Sequence, residues 1–439
     1  SYWIVPPVAV ALLAAPLWGG FDAAWTAYPP LSEMNAQGQL LFLMAFITFG
    51  FASILGAVNI LTTVAKLRAP GMTWGRLPIF VWSVFAASII SLTATQFVAA
   101  ALFMVVLDRV FGLSFFNAAH GGKPVLYQHL FWFYSHPAVY IMGLPGFGII
   151  LEILPTFSRK PLFAYKWAAG SFLTIVGLGF VVWAHHQFVG AIEPGLQIPF
   201  MISTEMISVP TGMVFLAALG TIWMGRLWLT TPMLFALGFI FNFLIGGLTG
   251  IFLADVPTDI HLHDTYFVVA HFHYTIMGGE VFAIFAAAYY WFPKITGRMF
   301  NQKLGNLHFW WMFVSYNLTY IAMFQVGIHG LNRRQFDYNP AFTTGNQITS
   351  IFAFMLGASF LLWVYVMVKG WVAGPKTVPN PWKGFTLEWL AASPPPLENF
   401  EKQPVVVGTP YPYGLPNPVH ATLGGEPVVV DEPATSVAR

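Results

Sequence analysis

Long apolar stretches alternate with short polar connections rich in Gly and Pro along most of the chain. A membrane-spanning helix needs about 20 mainly apolar residues, and these stretches approach or exceed that length. The pattern predicts about ten transmembrane helices, and therefore an all-α polytopic membrane protein. The predicted helices lie near residues 2–19, 38–66, 77–108, 127–154, 165–190, 199–225, 232–254, 265–293, 306–328 and 347–370.

The distribution of basic residues predicts how the helices are oriented. Lys and Arg concentrate in one set of alternate loops, which by the positive-inside rule face the cytoplasm. After Gly370 the chain becomes polar and rich in Pro, which is typical of an extended or partly disordered segment. The sequence thus predicts a transmembrane bundle over 1–372 and a Pro-rich cytoplasmic tail over 373–439. The cytoplasmic set of basic residues is Lys66, Arg68, Arg76, Arg159, Lys160, Lys166, Arg226, Lys294, Arg298, Lys303, Lys369 and Lys376.

Composition agrees with a membrane protein and narrows its chemistry. Of 439 residues, 57% are hydrophobic and 8% are charged, whereas about 25% are charged in a soluble domain. The net charge of +2, without a basic cluster, argues against nucleic-acid binding. The chain has no cysteine, which excludes thiolate metal ligands. Metal chemistry would therefore use the 12 histidines, carboxylates or Met.

Two histidines lie in the middle of the apolar stretch from Thr265 to Pro293. An ionisable residue inside a membrane helix is costly, and is by default a candidate for a functional site. His271 and His273 are two positions apart, so they point about 200° apart around a helix. This spacing predicts that each histidine binds a separate cofactor, one on each side of the helix.

A second group of histidines lies in the fourth and fifth predicted helices. His136 and Tyr140 share one helix face at i and i+4, and His185 and His186 are adjacent. Three neutral imidazoles suit copper or zinc, with a fourth position left for chemistry. Each histidine taken alone is more simply a buried imidazole bonded to a carbonyl group. Five histidines in three predicted helices favour metal or cofactor binding.

Several long motifs, in order along the chain, resemble subunit I of the haem-copper terminal oxidases of the cytochrome c oxidase type. The resemblance runs from Ser1 to Phe400. Its markers are Trp25-Thr26-Ala27-Tyr28-Pro29-Pro30, Arg68-Ala69-Pro70-Gly71-Met72, Tyr127-Gln128-His129-Leu130-Phe131-Trp132, Val209-Pro210-Thr211-Gly212 and His263-Asp264-Thr265-Tyr266.

The resemblance implies roles for particular residues. Copper would be held by three histidines, and in family members a tyrosine matching Tyr140 is cross-linked to the first of them. A non-redox Mg or Mn site is implied near the outer surface, and haem propionates are bound by an arginine pair with a tryptophan nearby. Guanidinium groups suit carboxylates on their own chemistry as well. The implied residues are His136, His185 and His186 for copper, His271 for the high-spin haem, His273 for the low-spin haem, His263 and Asp264 for Mg or Mn, and Arg333, Arg334 and Trp25 for the propionates.

The resemblance also implies an activity and partners. It implies reduction of O2 to water at a high-spin haem and copper, with haem of the A type, protons taken from the cytoplasm, and pumping left open. The expected partners are subunit II and other oxidase subunits, membrane lipid, and an electron donor such as cytochrome c. The sequence leaves the donor open between cytochrome c, another copper or haem protein, and quinol.

One departure from the family concerns the low-spin haem. Family members have two further helices before the first one found here, and the second of these carries the other axial histidine. No histidine precedes His120. We expect a separate chain to supply the missing helices and this second ligand to the haem at His273.

Other departures concern proton routes. Ala138 stands where the family commonly has glutamate, and Tyr134-Ser135 resembles the pair used instead by a prokaryotic subgroup. Val214 replaces a proton-path lysine. Glu280 occupies a normally apolar position and would face the missing helices. The candidate proton-path residues are Tyr134, Ser135, Thr204, Glu205 and Thr211.

Two alternatives remain open at this point. A nitric oxide reductase of the same superfamily would usually have a non-haem iron and lack the active-site tyrosine, so Tyr140 argues against it. A non-catalytic scaffold derived from an oxidase would fit Val214 and the missing haem ligand. Retention of the active-centre histidines argues against that alternative.

Overall fold

A computed structural model describes residues 1–34, 36–190, 192–428 and 430. These residues are mostly helical. The α-helices are α1 (Val5–Ala14), α2 (Leu31–Met34), α3 (Gln37–Lys66), α4 (Ile79–Phe111), α5 (Pro124–Ser158), α6 (Tyr165–Gly179), α7 (Pro194–Met206), α8 (Ser208–Ile222), α9 (Thr231–Ala254), α10 (Val256–Leu262), α11 (Tyr266–Thr275), α12 (Phe282–Thr296), α13 (Gln302–Ile328) and α14 (Thr343–Ala373).

Seven helical segments of the described chain are long and apolar enough to cross a membrane, so the protein is a multi-pass membrane protein. They are Gln37–Lys66, Ile79–Phe111, Pro124–Ser158, Pro194–Ile222, Thr231–Ala254, Tyr266–Thr296 and Pro340–Ala373. The other three predicted spans are also helical. The first forms the shorter apolar helix Tyr2–Trp18, and α13 is long but carries buried polar groups such as His308 and Asn317.

The fifth predicted span differs from the continuous helix expected over 165–190. Helix α6 ends at Gly179, and His185 and His186 lie on a separate 3₁₀ turn, Trp183–Gln187. Gly177 and Gly179 weaken the helix at this point because glycine has a low helix propensity. The two histidines are therefore displayed on a short turn of their own.

The described residues fall into two compact parts, which are considered separately. The first part comprises Ser1–Leu67, Val84–Leu144 and Leu173–Ile207. Its core is an aromatic and aliphatic cluster in which α3, α4 and α5 meet. Residues of this cluster include Phe42, Leu43, Val98, Leu102, Val105, Phe131 and Trp132. Tyr127 joins the cluster to the N-terminal loop by donating a hydrogen bond to the Thr26 carbonyl at 2.8 Å.

The second part comprises Arg68–Ser83, Pro145–Phe172 and Ser208–Arg439, of which the structure describes the residues given above. Helices α9, α11, α12 and α13 pack on one another, and α14 packs on α13. A π-helical segment, Ile276–Val281, joins α11 to α12. Close approach of α9 to α11 depends on Gly246, because a Cβ there would lie 2.9 Å from the backbone of Tyr274.

The segment after α14 folds back onto the second part. It forms a three-stranded antiparallel sheet of β1 (Pro404–Val406), β2 (Ala421–Leu423) and β3 (Glu426–Pro427). The N–H of Val406 donates to the Pro70 carbonyl at 2.9 Å, which ties the sheet to the loop before α4. His420 lies in the segment predicted to be extended or partly disordered, yet it is 1% exposed within the chain. Residues 429 and 431–439 of the predicted tail lie outside the described residues.

Candidate metal and haem centre

Three histidines of the first part converge. His136 lies on α5, and His185 and His186 lie on the 3₁₀ turn. One candidate ligand nitrogen from each ring falls within 4.8 Å of the other two. The ring centroids of His136 and His185 are 4.5 Å apart with nearly perpendicular planes, and those of His185 and His186 are 4.3 Å apart. The structure therefore brings together the three residues expected to bind copper.

Hydrogen bonds assign the tautomer of His185. Its Nδ1 lies 3.1 Å from the hydroxyl oxygen of Thr204 on α7. That hydroxyl donates its own proton to the Phe200 carbonyl at 2.6 Å, so it can only accept from the imidazole. The proton of His185 is thus on Nδ1, and the lone pair of Nε2 is left for a metal.

Trp132 orients the second histidine of the turn. Its indole stacks on the imidazole of His186, with ring centroids 3.7 Å apart and 12° between the planes. The indole N–H donates to the hydroxyl of Tyr28. Because Trp132 is 6% exposed and packed in the aromatic cluster, it limits rotation of the His186 ring.

Tyr140 lies one helical turn after His136, as the i, i+4 spacing predicts. The two rings are 5.0 Å apart. Space for the phenol is left by Gly179, where a Cβ would come within 3.3 Å of the Tyr140 ring. Nε2 of His136 is buried and has no hydrogen-bond partner among the described residues. A buried nitrogen without a partner fits a metal ion or a bond to the neighbouring phenol.

In the second part, His271 and His273 point to different neighbours of α11. His271 faces α9, where a Cβ at Gly250 would lie 3.1 Å from its ring. His273 faces α13, where its ring stacks on Tyr320 with centroids 4.4 Å apart and 19° between planes. The two imidazoles thus lie on separate faces, as their spacing predicts.

The tautomers of these two histidines also leave Nε2 for a metal. Nδ1 of His271 lies 3.1 Å from the hydroxyl oxygen of Thr249, which donates to the Ile245 carbonyl at 2.9 Å and therefore accepts from the ring. Nδ1 of His273 donates to the Val269 carbonyl at 2.8 Å. Metal-binding histidines usually engage their second nitrogen in this way.

A cluster of charges surrounds the loop before α11. Nδ1 of His263 is 2.7 Å from an Asp259 oxygen. Burial opposes protonation of His263, but the hydrogen bond and charge of Asp259 outweigh it and raise the pKa of the imidazole. Burial raises the pKa of the Asp264 carboxyl. Arg333 pairs with this carboxyl at 2.7 Å and outweighs the effect of burial, so that the pKa is lowered. Arg334 adds a further positive charge near Asp264.

The remaining predicted residues are distributed over both parts. Trp25 is 47% exposed and packs against Phe131 and Trp132. Thr204 contacts His185, as described above. The others are placed as follows: Ser135 is buried and Tyr134 half-buried on α5, Glu205 is half-buried on α7, Thr211 is half-buried on α8, and Glu280 lies against Gly146 of α5.

Sequence reasoning did not find several residues that support the site. Thr249 and Asp259 contact His271 and His263 but lie outside the motifs, and Trp132 was recognised only as part of a family motif. A signal was available for Asp259, because it precedes His263 by one helical turn. No local pattern connects Thr249 with His271, since they lie on different helices.

Comparison with known proteins agrees with this geometry. The family model described as "Cytochrome C and Quinol oxidase polypeptide I" matches residues 1–355. Cytochrome c oxidase subunit 1 of Synechocystis sp. is 46% identical over 94% of this chain and 76% of its own length. The Thermostichus vulcanus and Corynebacterium efficiens proteins of that name are each 45% identical, over 94% and 92% of this chain and 75% and 71% of their own lengths.

A chain from a haem-copper terminal oxidase dimer, solved by cryo-EM, shares the fold. The TM-score is 0.68 and the identity is 20%, over 85% of this chain and 71% of that one. Fold and sequence similarity together define a membrane oxidoreductase of the haem-copper oxidase class. The chain belongs to the cytochrome c and quinol oxidase polypeptide I family, that is, subunit I of the haem-copper terminal oxidases.

Proposed function

We propose that this chain is the catalytic subunit that reduces O2 to water using a copper ion and a high-spin haem. The observation that carries the proposal is the convergence of His136, His185 and His186 with candidate ligand atoms within 4.8 Å. Tyr140 beside this cluster supports oxygen reduction, because a phenol can supply a proton and an electron to the reaction.

The residues present fit the metals that the family implies. The three histidines would hold copper, His271 the high-spin haem and His273 the low-spin haem, which we expect to be of the A type. When bound, these groups supply electrons to oxygen. The chain fixes the imidazole tautomers through Thr204, Thr249 and the Val269 carbonyl, and it packs Trp132 against the ring of His186.

The low-spin haem needs a second axial ligand besides His273. We propose that this ligand comes from residues other than the 439 printed here. Mass spectrometry of every polypeptide in the purified complex tests this. A histidine-bearing membrane helix outside these 439 residues would support this proposal, and its absence would contradict it.

Protons for the reaction would be taken from the cytoplasm, and proton pumping during turnover is to be measured. Tyr134, Ser135, Thr204, Glu205 and Thr211 are the proposed proton-path residues of the membrane helices. Val214, which is fully buried on α8, carries no proton, so the route through α8 differs from the usual one of the family.

The remaining proposals concern the assembly. About ten helices would cross the inner membrane of a prokaryotic cell, with the segment 373–439 in the cytoplasm. Subunit II would deliver electrons from cytochrome c or a similar donor. Mg or Mn would bind near His263 and Asp264, and Arg333, Arg334 and Trp25 would contact haem propionates.

The test is metal analysis of the purified complex together with reduced-minus-oxidised optical spectra, with and without carbon monoxide. One copper, a CO-reactive high-spin haem and a low-spin haem would support the proposal. A second iron in place of copper would indicate nitric oxide reductase chemistry. A purified complex without any haem would indicate a non-catalytic scaffold derived from an oxidase.

A further inference from the structure

A groove lies at one end of the helices of the second part, between the loop that joins α12 to α13 and the end of α14. Its volume is about 470 Å³, which falls within the range of roughly 300–1,000 Å³ typical of small-molecule sites. None of the residues that line it belongs to the metal centres described above. One wall is formed by residues 299–304. The other is one face of the last turns of α14, with lining residues at helical i, i+3, i+4 and i+7 spacing, namely Val366, Lys369, Gly370 and Ala373.

Backbone hydrogen bonds hold the two walls of the groove together. The N–H of Met299 donates to the Pro375 carbonyl at 2.9 Å, and the N–H of Thr377 donates to the Gly297 carbonyl at 3.1 Å. Gly374 permits this close contact, because a Cβ there would collide with the Met299 carbonyl oxygen. The fold of the chain therefore shapes the groove before any ligand binds, which lowers the cost of binding.

Basic side chains surround the groove without acidic ones. Lys303, on the first turn of α13, and Lys369, near the end of α14, both line it and are exposed. The walls and their flanks, 295–305 and 363–380, carry two further bases and contain no Asp or Glu. Among the described residues, no carboxylate forms an ion pair with any of these bases. The groove therefore offers positive charge that the described part of the chain does not neutralise.

The start of α13 adds to this positive charge. Asn301 caps the helix by accepting a hydrogen bond from the N–H of Leu304 at 3.1 Å. The first N–H groups of a helix have no partner inside it, and the helix dipole places partial positive charge at this end. A helix start alone is not a binding site, but this one borders a groove that two lysines also line. Together these features favour a ligand that carries a negative charge.

Aromatic side chains indicate that the groove lies at the level of the lipid head groups. Helix α14 belongs to an apolar segment long enough to span a membrane, Pro340–Ala373. Near its end, Tyr365 and Trp371 are 50% and 68% exposed, and Tyr365 accepts a hydrogen bond from Nζ of Lys369 at 2.8 Å. Exposed Trp and Tyr concentrate where membrane helices meet water. This end of the bundle is the one predicted to face the cytoplasm, where the leaflet is rich in anionic lipid.

Apolar side chains supply the rest of the lining. Phe300 and Val366 are buried, and Leu304 and Ala373 complete the apolar part of the two walls. A free phosphate ion would contact only the basic groups. A phospholipid has a phosphate for the lysines and also glycerol and acyl carbons for the apolar lining, so the groove matches a phospholipid better than a free anion.

We propose that this groove binds one anionic phospholipid. The phosphate contacts Lys303 and Lys369, and the glycerol and the first acyl carbons lie on the apolar lining. Basic pockets between membrane helices recognise anionic head groups in this way. Binding of the lipid involves no step of oxygen reduction, so its test is independent of the proposed function.

The first test is native mass spectrometry of the intact, delipidated oxidase complex, titrated with phosphatidylglycerol or phosphatidylcholine. The wild type should bind phosphatidylglycerol more tightly than the neutral lipid. Lys303→Gln and Lys369→Gln should each weaken phosphatidylglycerol binding about fivefold, the contribution of one basic residue near a membrane surface. Lys166→Gln is the matched control and should match the wild type. Lys166 is exposed beside the exposed Trp167 at the start of α6, but it does not line the groove.

Ala373 allows the charge of the groove to be changed without removing a lysine. Ala373→Glu should repel phosphatidylglycerol and weaken its binding about fivefold or more, whereas Ala373→Gln, of nearly equal size, should bind it as the wild type does. Equal binding by these two variants, equal wild-type affinity for the two lipids, or an equal loss in Lys166→Gln would each contradict the proposal. Full displacement of phosphatidylglycerol by inorganic phosphate would overturn the lipid in favour of a free anion.

The second test identifies what occupies the groove in a membrane. The chain has no cysteine, so Ala373→Cys gives it a single thiol for a maleimide that carries a photoreactive benzophenone. With the complex in vesicles of equal phosphatidylglycerol and phosphatidylcholine, the label should cross-link the anionic lipid about fivefold or more over the neutral one. Leu361→Cys, at a 73% exposed position earlier on α14, should cross-link both in proportion to their amounts.

Two results of the cross-linking would overturn the proposal. Equal cross-linking of the two lipids from Ala373→Cys would show that the groove does not select an anionic head group. Cross-linking to a polypeptide would show that another subunit covers the groove.

Discussion

The indole plane of Trp132 and the imidazole plane of His186 are within 12° of parallel. Such contact leaves no room for the imidazole to turn, so the direction of its nitrogen is set before any metal arrives. A site whose ligands are already oriented binds its metal with little rearrangement. The stacking is therefore a positioning contact, which mutagenesis can separate from the ligands themselves.

Replacing Trp132 with Leu should weaken copper binding about 10- to 100-fold, because His186 gains rotational freedom. Copper retained by the complex against increasing chelator measures this. Trp167→Leu is a matched control, since Trp167 is 68% exposed. Equal copper retention in the two variants would contradict the positioning role.

Replacing Thr249 with Val should affect the high-spin haem and leave copper in place. The valine removes the acceptor for Nδ1–H of His271, and iron affinity should fall about 10- to 100-fold. The iron–histidine vibration in a resonance Raman spectrum measures the bond directly. Thr249→Ser should restore the wild-type spectrum, whereas a merely structural role of the methyl group would leave Ser defective.

Replacing Thr204 with Val should affect copper and leave the high-spin haem in place. Its hydroxyl accepts from His185, so copper retention should fall while the iron–histidine vibration stays unchanged. Thr93→Val serves as the control, because Thr93 is exposed and its hydroxyl, among the described residues, bonds only to carbonyls of its own helix. Copper retention equal to that control would show that Thr204 does not set the tautomer.

The C-terminal sheet should loosen at acid pH because of His420. Burial lowers the pKa of this imidazole, against the opposing effect of its hydrogen bonds to the Thr409 and Gly408 carbonyls. Nε2 is buried without a partner among the described residues, so a second ring proton finds no acceptor. The folded segment then resists protonation, whereas the unfolded one takes up a proton near pH 6.5.

The direction in which pH changes the stability of the C-terminal segment follows from this difference in proton binding. The stability contributed by neutral His420 is fully present above about pH 6.5 and is lost progressively as the pH falls towards the lower folded pKa. Hydrogen exchange at Val407 and Gly408, whose N–H groups donate to the His420 carbonyl, should accelerate at low pH after correction for intrinsic rates. In His420→Gln this pH dependence should disappear.

The sequence predicted the helical class and the grouping of His136 with Tyr140, because both depend on local patterns. Apolar length marks a span, and the i, i+4 spacing of His136 and Tyr140 places both side chains on one face. The separate turn that carries His185 and His186 was not predicted, because the apolar run continues past Gly177 and Gly179, where the helix is weakened. The burial of His420 depends on residues far away in sequence, and composition alone indicated an exposed tail.

Gly246 and Gly250 are one helical turn apart on α9, a spacing that lets membrane helices approach closely. A Cβ at either position would press on α11, at Tyr274 or on the ring of His271, whereas at Gly247 it would meet only an ordinary contact at 3.9 Å. The ring of His271, the proposed haem ligand, is thus positioned by the absence of side chains on these two residues. In a saturation mutagenesis library, selection for growth should reject nearly every substitution at the first two glycines and accept small residues at the third.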